Sequence, residues 1–449
     1  MNTTARIVLT VIVLVVCAVL IAISIIYIPK LTEGGGFMKK ETWTWGTELN
    51  ASANRTTEPG VPKVFAKDGA YTWWTNALAL RYVGQKDKTY LSYVNENGQM
   101  SVTSLDHETG QYVTFTLANF EKDDHNSAAL GILPDGKILA VYARHSADKL
   151  IRWRISDVED ISNFTEEKSI TSAGSVTYIQ LHRIGQTKYR IFYRYSMNNW
   201  ATRVYDYSTD SWTEEVVWLN EPNGGQYYLW TQADKTRGKI NVFMTCHPNN
   251  GKDQAIRYGY FDQDGNIYTT GGKHIGDLNT SKASMLTPRD FDAAYVPEEV
   301  QLKTRLFDTS FMGDKVACLF GVFTGPENCS YKYCYYEAST GEWVLETVTD
   351  SGWAAVPGNR YFGGISFDKK DMQTLYVSKE KDGVWSIEKW VTSDYGKTWT
   401  HTVLDTSDTD VLIRPIIPFN AHDDTDVIYM KGKYPTYLTY DTDLVSYAD

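Results

Sequence analysis

The sequence has no excess of positive charge. Lys and Arg total 44 against 55 Asp and Glu, a net charge of −11, and no basic stripe interrupts the mixture. Neutralising phosphates with Lys and Arg is what drives nucleic-acid binding, so a nucleic-acid partner is excluded. Cysteines are few, five in 449 residues, which rules out a disulfide-dense scaffold. Glycine and proline, at 33 and 13, exclude collagen-like and low-complexity chains. Long amphipathic helical stretches are scarce, which argues against an ordinary cytosolic α/β enzyme. Neither G-x-S-x-G nor H-E-x-x-H occurs, removing the common serine-hydrolase and zinc-protease signatures. What is abundant is aromatic surface, 14% of residues with 14 Trp and 31 Tyr. A disordered chain is thereby excluded, because such a chain lacks the apolar surface needed to offset ordering entropy.

One apolar run stands apart. Ile7 to Ile28 carries no charge over 22 residues. At about 1.5 Å per residue this spans the ~30 Å hydrocarbon core as a helix. The run exceeds the ~7–15 residues of a signal-peptide core and has no obvious small-residue cleavage site. The expectation is a transmembrane signal anchor, with a long signal peptide or a pilin-like filament helix as rivals. Residues 1–6 form a short tail, 29–60 a linker that includes Thr32–Gly36, and 61–449 the folded body. N-x-S/T sequons at Asn50, Asn54, Asn163, Asn279 and Asn328 fit an extracellular glycoprotein. Cys318, Cys329 and Cys334 cluster closely enough for a disulfide, with buried free thiols the alternative, and Cys246 stands apart.

The body reads as short aromatic and β-branched strands separated by turns. TYLSYV, NENG, QMSVTSL, DHETG and QYVTFTL make three strands and two tight turns, and the pattern recurs to the end of the chain. Turn-plus-tryptophan signatures, STDSW, STGEW, KDGVW and DYGKTW, recur on the scale of about 50 residues, that of a propeller blade. The expected fold class is all-β, a seven-bladed β-propeller, with Tyr71–Tyr82 and Tyr434–Tyr440 sharing a closing blade. Thr392–Trp399 fits the S/T-x-D-x-G-x-T-W Asp-box, a structural hairpin turn of sialidase-type propellers.

Asp123-Asp124-His125-Asn126 precedes a strand, the turn Pro134-Asp135-Gly136 and a second strand ending at His145. Antiparallel pairing brings the two ends of such a hairpin together, and His125 and His145 with them. Together with IRWRIS, TYIQL, IFYRYS, TCHP, FGGISFD and RPIIP, these segments resemble the BNR-repeat family that includes ulvan lyases, over roughly residues 70–440.

The resemblance implies a seven-bladed propeller whose lyases cleave uronic-acid polysaccharides by β-elimination. It implies His125, His145, Tyr178 and Arg194 as catalytic residues, with Asn126 and Tyr193 binding substrate. Tyr178 stands in Thr177-Tyr178-Ile179, where the motif has a proline, and Tyr189 or Tyr193 are alternatives for its role. Such chemistry needs a base for the C5 proton, given to His125; a proton donor to O4, given to Tyr178; and positive charge on the carboxylate, given to His145 and Arg194. No cofactor is required, and a structural metal ion near Cys246-His247 is left open.

A sialidase lacks support because no Arg-Ile-Pro segment lies near the first blade. The rival reading is a non-catalytic glycan-binding surface protein, a virion spike or a filament subunit.

Overall fold

The structure, a computed structural model, describes residues 60–448 apart from 223, 235–237, 250–252, 279–284 and 423–426. The proposed anchor at residues 7–28 and the sequons at Asn50, Asn54 and Asn279 lie outside the described residues. Among the described residues no helix is long and apolar enough to cross a membrane.

The strands assemble into seven antiparallel sheets of four to six strands each, a seven-bladed β-propeller as the sequence leads one to expect. Hairpin turns set the register within each blade. In the second, Ala129–Ile132 pairs Lys137–Tyr142 across the Leu133–Gly136 turn, where Gly136 sits at φ +85°. Burial follows position in the blade. Asp87–Val94, a second strand, is buried at every residue because neighbouring blades cover both faces. The fourth strand of the same blade, Tyr112–Asn119, is largely open to solvent. Innermost strands contact one another around the ring: Ala129–Ile132 touches Val176–Arg183, which touches Tyr227–Asp234, which touches Lys303–Met312.

The ring does not close where the sequence suggested. Lys63–Ala66 pairs with Thr439–Tyr447 as the outer strand of the last blade, with Lys63 opposite Ser446. Tyr71–Leu78 instead crosses the centre of the ring. Trp74 stacks on Tyr228 at 4.3 Å, Trp73 meets Phe307 at 5.6 Å, and the Asn76 amide donates to the Ile179 carbonyl. Two indoles fill a space that seven blades leave open, so the segment serves as a plug rather than a blade strand.

The Asp-box has its expected form. The Thr398 amide and hydroxyl both donate to Asp394, Gly396 takes φ +93°, and Trp399 packs 5.8 Å from Tyr333 of the preceding blade. The disulfide expectation is not met: Cys246, Cys318, Cys329 and Cys334 are all free and buried. Cys318 and Cys334 face one another on paired strands, and burial raises the Cys318 thiol well above its usual range. Asn163 and Asn328 are exposed, the former donating to Asp157.

At Gly396 an added Cβ would sit 3.2 Å from Glu346, Trp399 and Tyr333, in a backbone region that L-residues avoid. Gly396→Ala is expected to lower stability by about 1–3 kcal/mol in urea unfolding, without altering the centre of the ring.

Candidate active site

The site is built on one mouth of the plugged ring. Asp123 caps the short helical turn Asp124–Asn126, its carboxylate accepting from the His125 amide at 3.0 Å. The turn leads into the Ala129–Tyr142 hairpin, which returns the chain to His145. The two imidazoles stack, centroids 4.2 Å apart and planes 9° apart. One carboxylate holds both: His125 Nδ1 lies 2.6 Å from Asp123 Oδ1, and His145 Nδ1 2.8 Å from Oδ2. Both Nε2 atoms therefore turn away from Asp123. The Asn126 side chain accepts from the His145 amide at 2.7 Å and is wholly buried, so it positions the second histidine.

The two rings differ in charge. Burial opposes a charge on His125, but Asp124 and Asp123 outweigh it and raise its pKa to about 9. The single Nδ1 proton goes to Asp123, and Asp124 Oδ1, 2.9 Å away, acts through charge. Asp124 is held in turn by Arg414 at 2.6 Å, both side chains 0% exposed, and by the Tyr434 hydroxyl. His145 goes the other way. Burial and the charge of His125 lower its pKa, with Asp123 only partly opposing. At neutral pH the stack is one imidazolium against one neutral imidazole, whose Nδ1–H donates to Asp123 and whose Nε2 carries a free lone pair.

Tyr178 closes the site. The pairing of its strand with Lys188–Tyr195 slips between Thr177 and Gln180, and Tyr178 takes φ +57° in the resulting bulge. A bulge re-aims a side chain; here the ring comes within 5.6 Å of His125 and 5.8 Å of His145. Burial raises its pKa well above 10, so the phenol keeps its proton. Arg194 stacks on Tyr178 at 4.5 Å. It bonds Ser146 Oγ at 3.4 Å, and its Nε has no partner. Tyr437 stands edge-on to His125 at 4.8 Å.

Tyr193 and Tyr189 do not join this group. Successive strand residues face opposite ways, so Tyr193, next to Arg194, points between blades and bonds Glu215, while Tyr189 donates to the Ile132 carbonyl. Sequence reasoning missed Asp123 and Asp124, although both stand in the motif that singled out His125. It missed Arg414, which like Tyr178 sits at positive φ in a bulged inner strand, and whose signal was the proline that follows it. Tyr434 and Tyr437 carry no local signal.

Metal binding was considered at two places. Among the described residues Cys246 and His247 have no third ligand side chain grouped with them, and the His247 Nδ1 accepts from the Asn249 amide at 3.0 Å. Asp123, His125 and His145 offer donor atoms within 4.8 Å of one another. Both Nδ1 atoms are already turned to Asp123, and Asp124 is already engaged by Arg414. The cluster suits a proton better than a dication, and no chemical step is routed through a metal.

Fold and site together define a seven-bladed propeller with a charged histidine–tyrosine–arginine centre. The chain belongs to the BNR repeat-containing family, whose model matches residues 88–351. No curated protein matches the sequence. Among solved structures, a polysaccharide lyase described as an ulvan lyase is similar, with a TM-score of 0.67 at 14% identity over 86% of this chain and 95% of that one. The same lyase bound to GlcA(1-4)Rha3S gives the same TM-score, identity and coverage. A prolyl endopeptidase is more distant, with a TM-score of 0.46 at 11% identity over 86% of this chain and 50% of that one.

The charge split predicts two titrations. His125 should stay protonated until about pH 9 and His145 should be neutral at pH 7, read from imidazole 15N shifts. Since the folded pKa of His125 is raised, its contribution to stability is full below about 6.5 and is lost as pH passes about 9. Asp123→Asn should lower both titrations, since Asp123 raises each, and a His125 that titrates near 6.5 in the intact protein would refute the assignment.

Proposed function

We propose that the protein is a polysaccharide lyase that cleaves a uronic-acid-containing glycan by β-elimination. The observation that carries this reading is the stacked pair of unlike charge on one carboxylate, beside a protonated tyrosine and an arginine that has no carboxylate partner among the described residues. The similarity to an ulvan lyase supports it as far as fold. On this reading the apolar Ile7–Ile28 run tethers the enzyme to a membrane with the propeller outside.

The roles differ from those the sequence suggested. His125 is already charged and cannot serve as the base, so that role passes to His145, whose Nε2 lone pair is free. Arg194 and the His125 cation neutralise the uronate carboxylate, which makes C5–H more acidic and stabilises the enolate-like transition state. His145 takes the C5 proton. The electron pair forms the C4=C5 double bond, the C4–O4 bond breaks, and Tyr178 protonates O4. The His145 proton then returns to the tyrosinate. Arg194, Arg305 and Arg414 also crowd this centre, as a sialidase clamp would, but Arg414 is engaged by Asp124 and Tyr434.

The test follows absorbance of the unsaturated product across a panel of uronate polysaccharides. His145→Ala should lower kcat by about 10²–10⁴-fold with binding largely retained, as for loss of a general base. Arg194→Lys should raise KM and lower kcat together, because the planar fork is lost. Binding to one polymer with no absorbance on any would favour the glycan-binding module instead.

The pH profile should be a bell. Its acid limb falls below 6.5, where His145 takes up a proton, and its alkaline limb falls near 9, where His125 loses one. A rate that rises through pH 9 would exclude a charged His125 from the mechanism.

A further inference from the structure

Trp353 is 50% exposed, and among the described residues it is the one exposed tryptophan. No aromatic ring of the described residues stacks on it. The other described tryptophans are buried or half-buried, where a large apolar side chain gains most from leaving water. The exposed indole is nevertheless held firmly. Its backbone amide donates to Glu380 Oε2 at 2.9 Å. The Gly352 amide before it donates to Asn328 Oδ1 at 3.1 Å, and the Ala354 amide after it to the Pro326 carbonyl at 2.9 Å. Ala354 and Val356 are buried and anchor the segment. Gly352 sits at φ +73°, and a Cβ added there would lie 2.0 Å from the Glu380 carbonyl oxygen. Three backbone hydrogen bonds and an obligatory glycine thus hold an apolar ring out in water.

The segment that carries it runs over the catalytic mouth. The turn with His125 feeds the innermost strand Ala129–Ile132 of its blade from that mouth, and residues 351–364 feed the innermost strand Ile365–Phe367 in the same way. At the inner end of this segment the Tyr361 ring lies 5.5 Å from the Arg414 guanidinium. Arg360 beside it donates to the Asn249 side chain at 2.9 Å, and the Asn249 amide donates to His247 Nδ1. His247 and Tyr178 each lie 5.6 Å from Tyr228. Contacts therefore lead without a break from the catalytic tyrosine to this segment, and Trp353 stands at its outer end.

A pyranose ring has a face of C–H groups. The electron-rich face of an indole attracts such groups, and the contact removes apolar surface from water on both sides. We propose that Trp353 is a sugar-stacking platform at the outer end of the substrate path, and that it receives a pyranose of the same polymer farther along the chain than the sugar held at Arg194. The proposal rests on the lyase reading for the identity of the polymer. Stacking on a C–H face is indifferent to charged substituents, so the platform selects for chain length. A long chain is gripped at the centre of the ring and at its rim, a short one at the centre alone.

The test measures Kd by calorimetry on the full chain at fixed salt. The ligands are size-fractionated oligosaccharides, from disaccharide to dodecasaccharide, prepared from each polymer of the uronate panel. Affinity in the intact protein should rise in one step of about three- to tenfold once the chain is long enough to reach the indole, as expected for one aromatic stacking contact. Trp353→Ala should remove the step, so that long oligosaccharides bind as short ones do in the intact protein, and should raise KM for the polymer by the same factor. Trp353→Phe, which keeps an aromatic face, should restore most of it. If Trp353→Ala loses its fold by circular dichroism, Trp353→Gln, which has no ring, decides. Affinity independent of length in the intact protein, or a step that survives loss of the ring, overturns the platform. A step that depends on Trp353 with no unsaturated product would refute the lyase reading and keep the platform; elimination without such a step would do the reverse. Failure of every size ladder to bind would overturn both.

Discussion

The buried ion pair between Asp124 and Arg414 is the constraint on which the centre of this molecule depends. Each residue alone would be an uncompensated charge out of contact with water. Removing one partner of such a pair typically costs about 3–5 kcal/mol, because the other is stranded. The pair also joins distant parts of the chain, since Asp124 precedes the second blade and Arg414 lies on the inner strand of the last. Tyr434 bonds both partners. With Asp124 fixed as an anion, His125 is held as a cation, and a second cation on the ring stacked above it is disfavoured. The difference between two chemically identical side chains thus begins with a guanidinium that touches neither of them.

Local strain sits where this centre needs it. Tyr178 and Arg414 are both non-glycine residues in the left-handed region, each at a register slip in an innermost strand. Conformations of this kind cost roughly 1–3 kcal/mol and persist where surrounding packing over-determines them. Here the packing is the plug, whose Trp73 meets Arg414 and whose Trp74 stacks on Tyr228. The plug gives the site a rigid floor.

The strand pattern, the blade scale and the Asp-box were all legible in the sequence, because short aromatic and β-branched runs and turn chemistry are local. So was the meeting of His125 and His145, which follows from one hairpin. The bulge that re-aims Tyr178 was not legible, since no residue type encodes a register slip. The charges were not legible either: they depend on Asp124, whose partner stands 290 positions away. Ring closure was misplaced because Lys63–Ala66 is too short a strand to stand out, whereas the aromatic Tyr71–Leu78 segment looks like a strand and is a plug.

The outer strand Lys63–Ala66 has a consequence in time. It is made before every other described strand of the propeller and pairs with Thr439–Tyr447, the last of those strands to be made. At about 5–20 residues per second this leaves the first strand without its partner for on the order of tens of seconds. During that interval the nascent chain exposes an unpaired edge at Val64 and Phe65 and an unburied Trp73-Trp74 pair. The circular design that leaves the finished ring no free seam therefore gives the growing chain one for as long as the seven blades are being made.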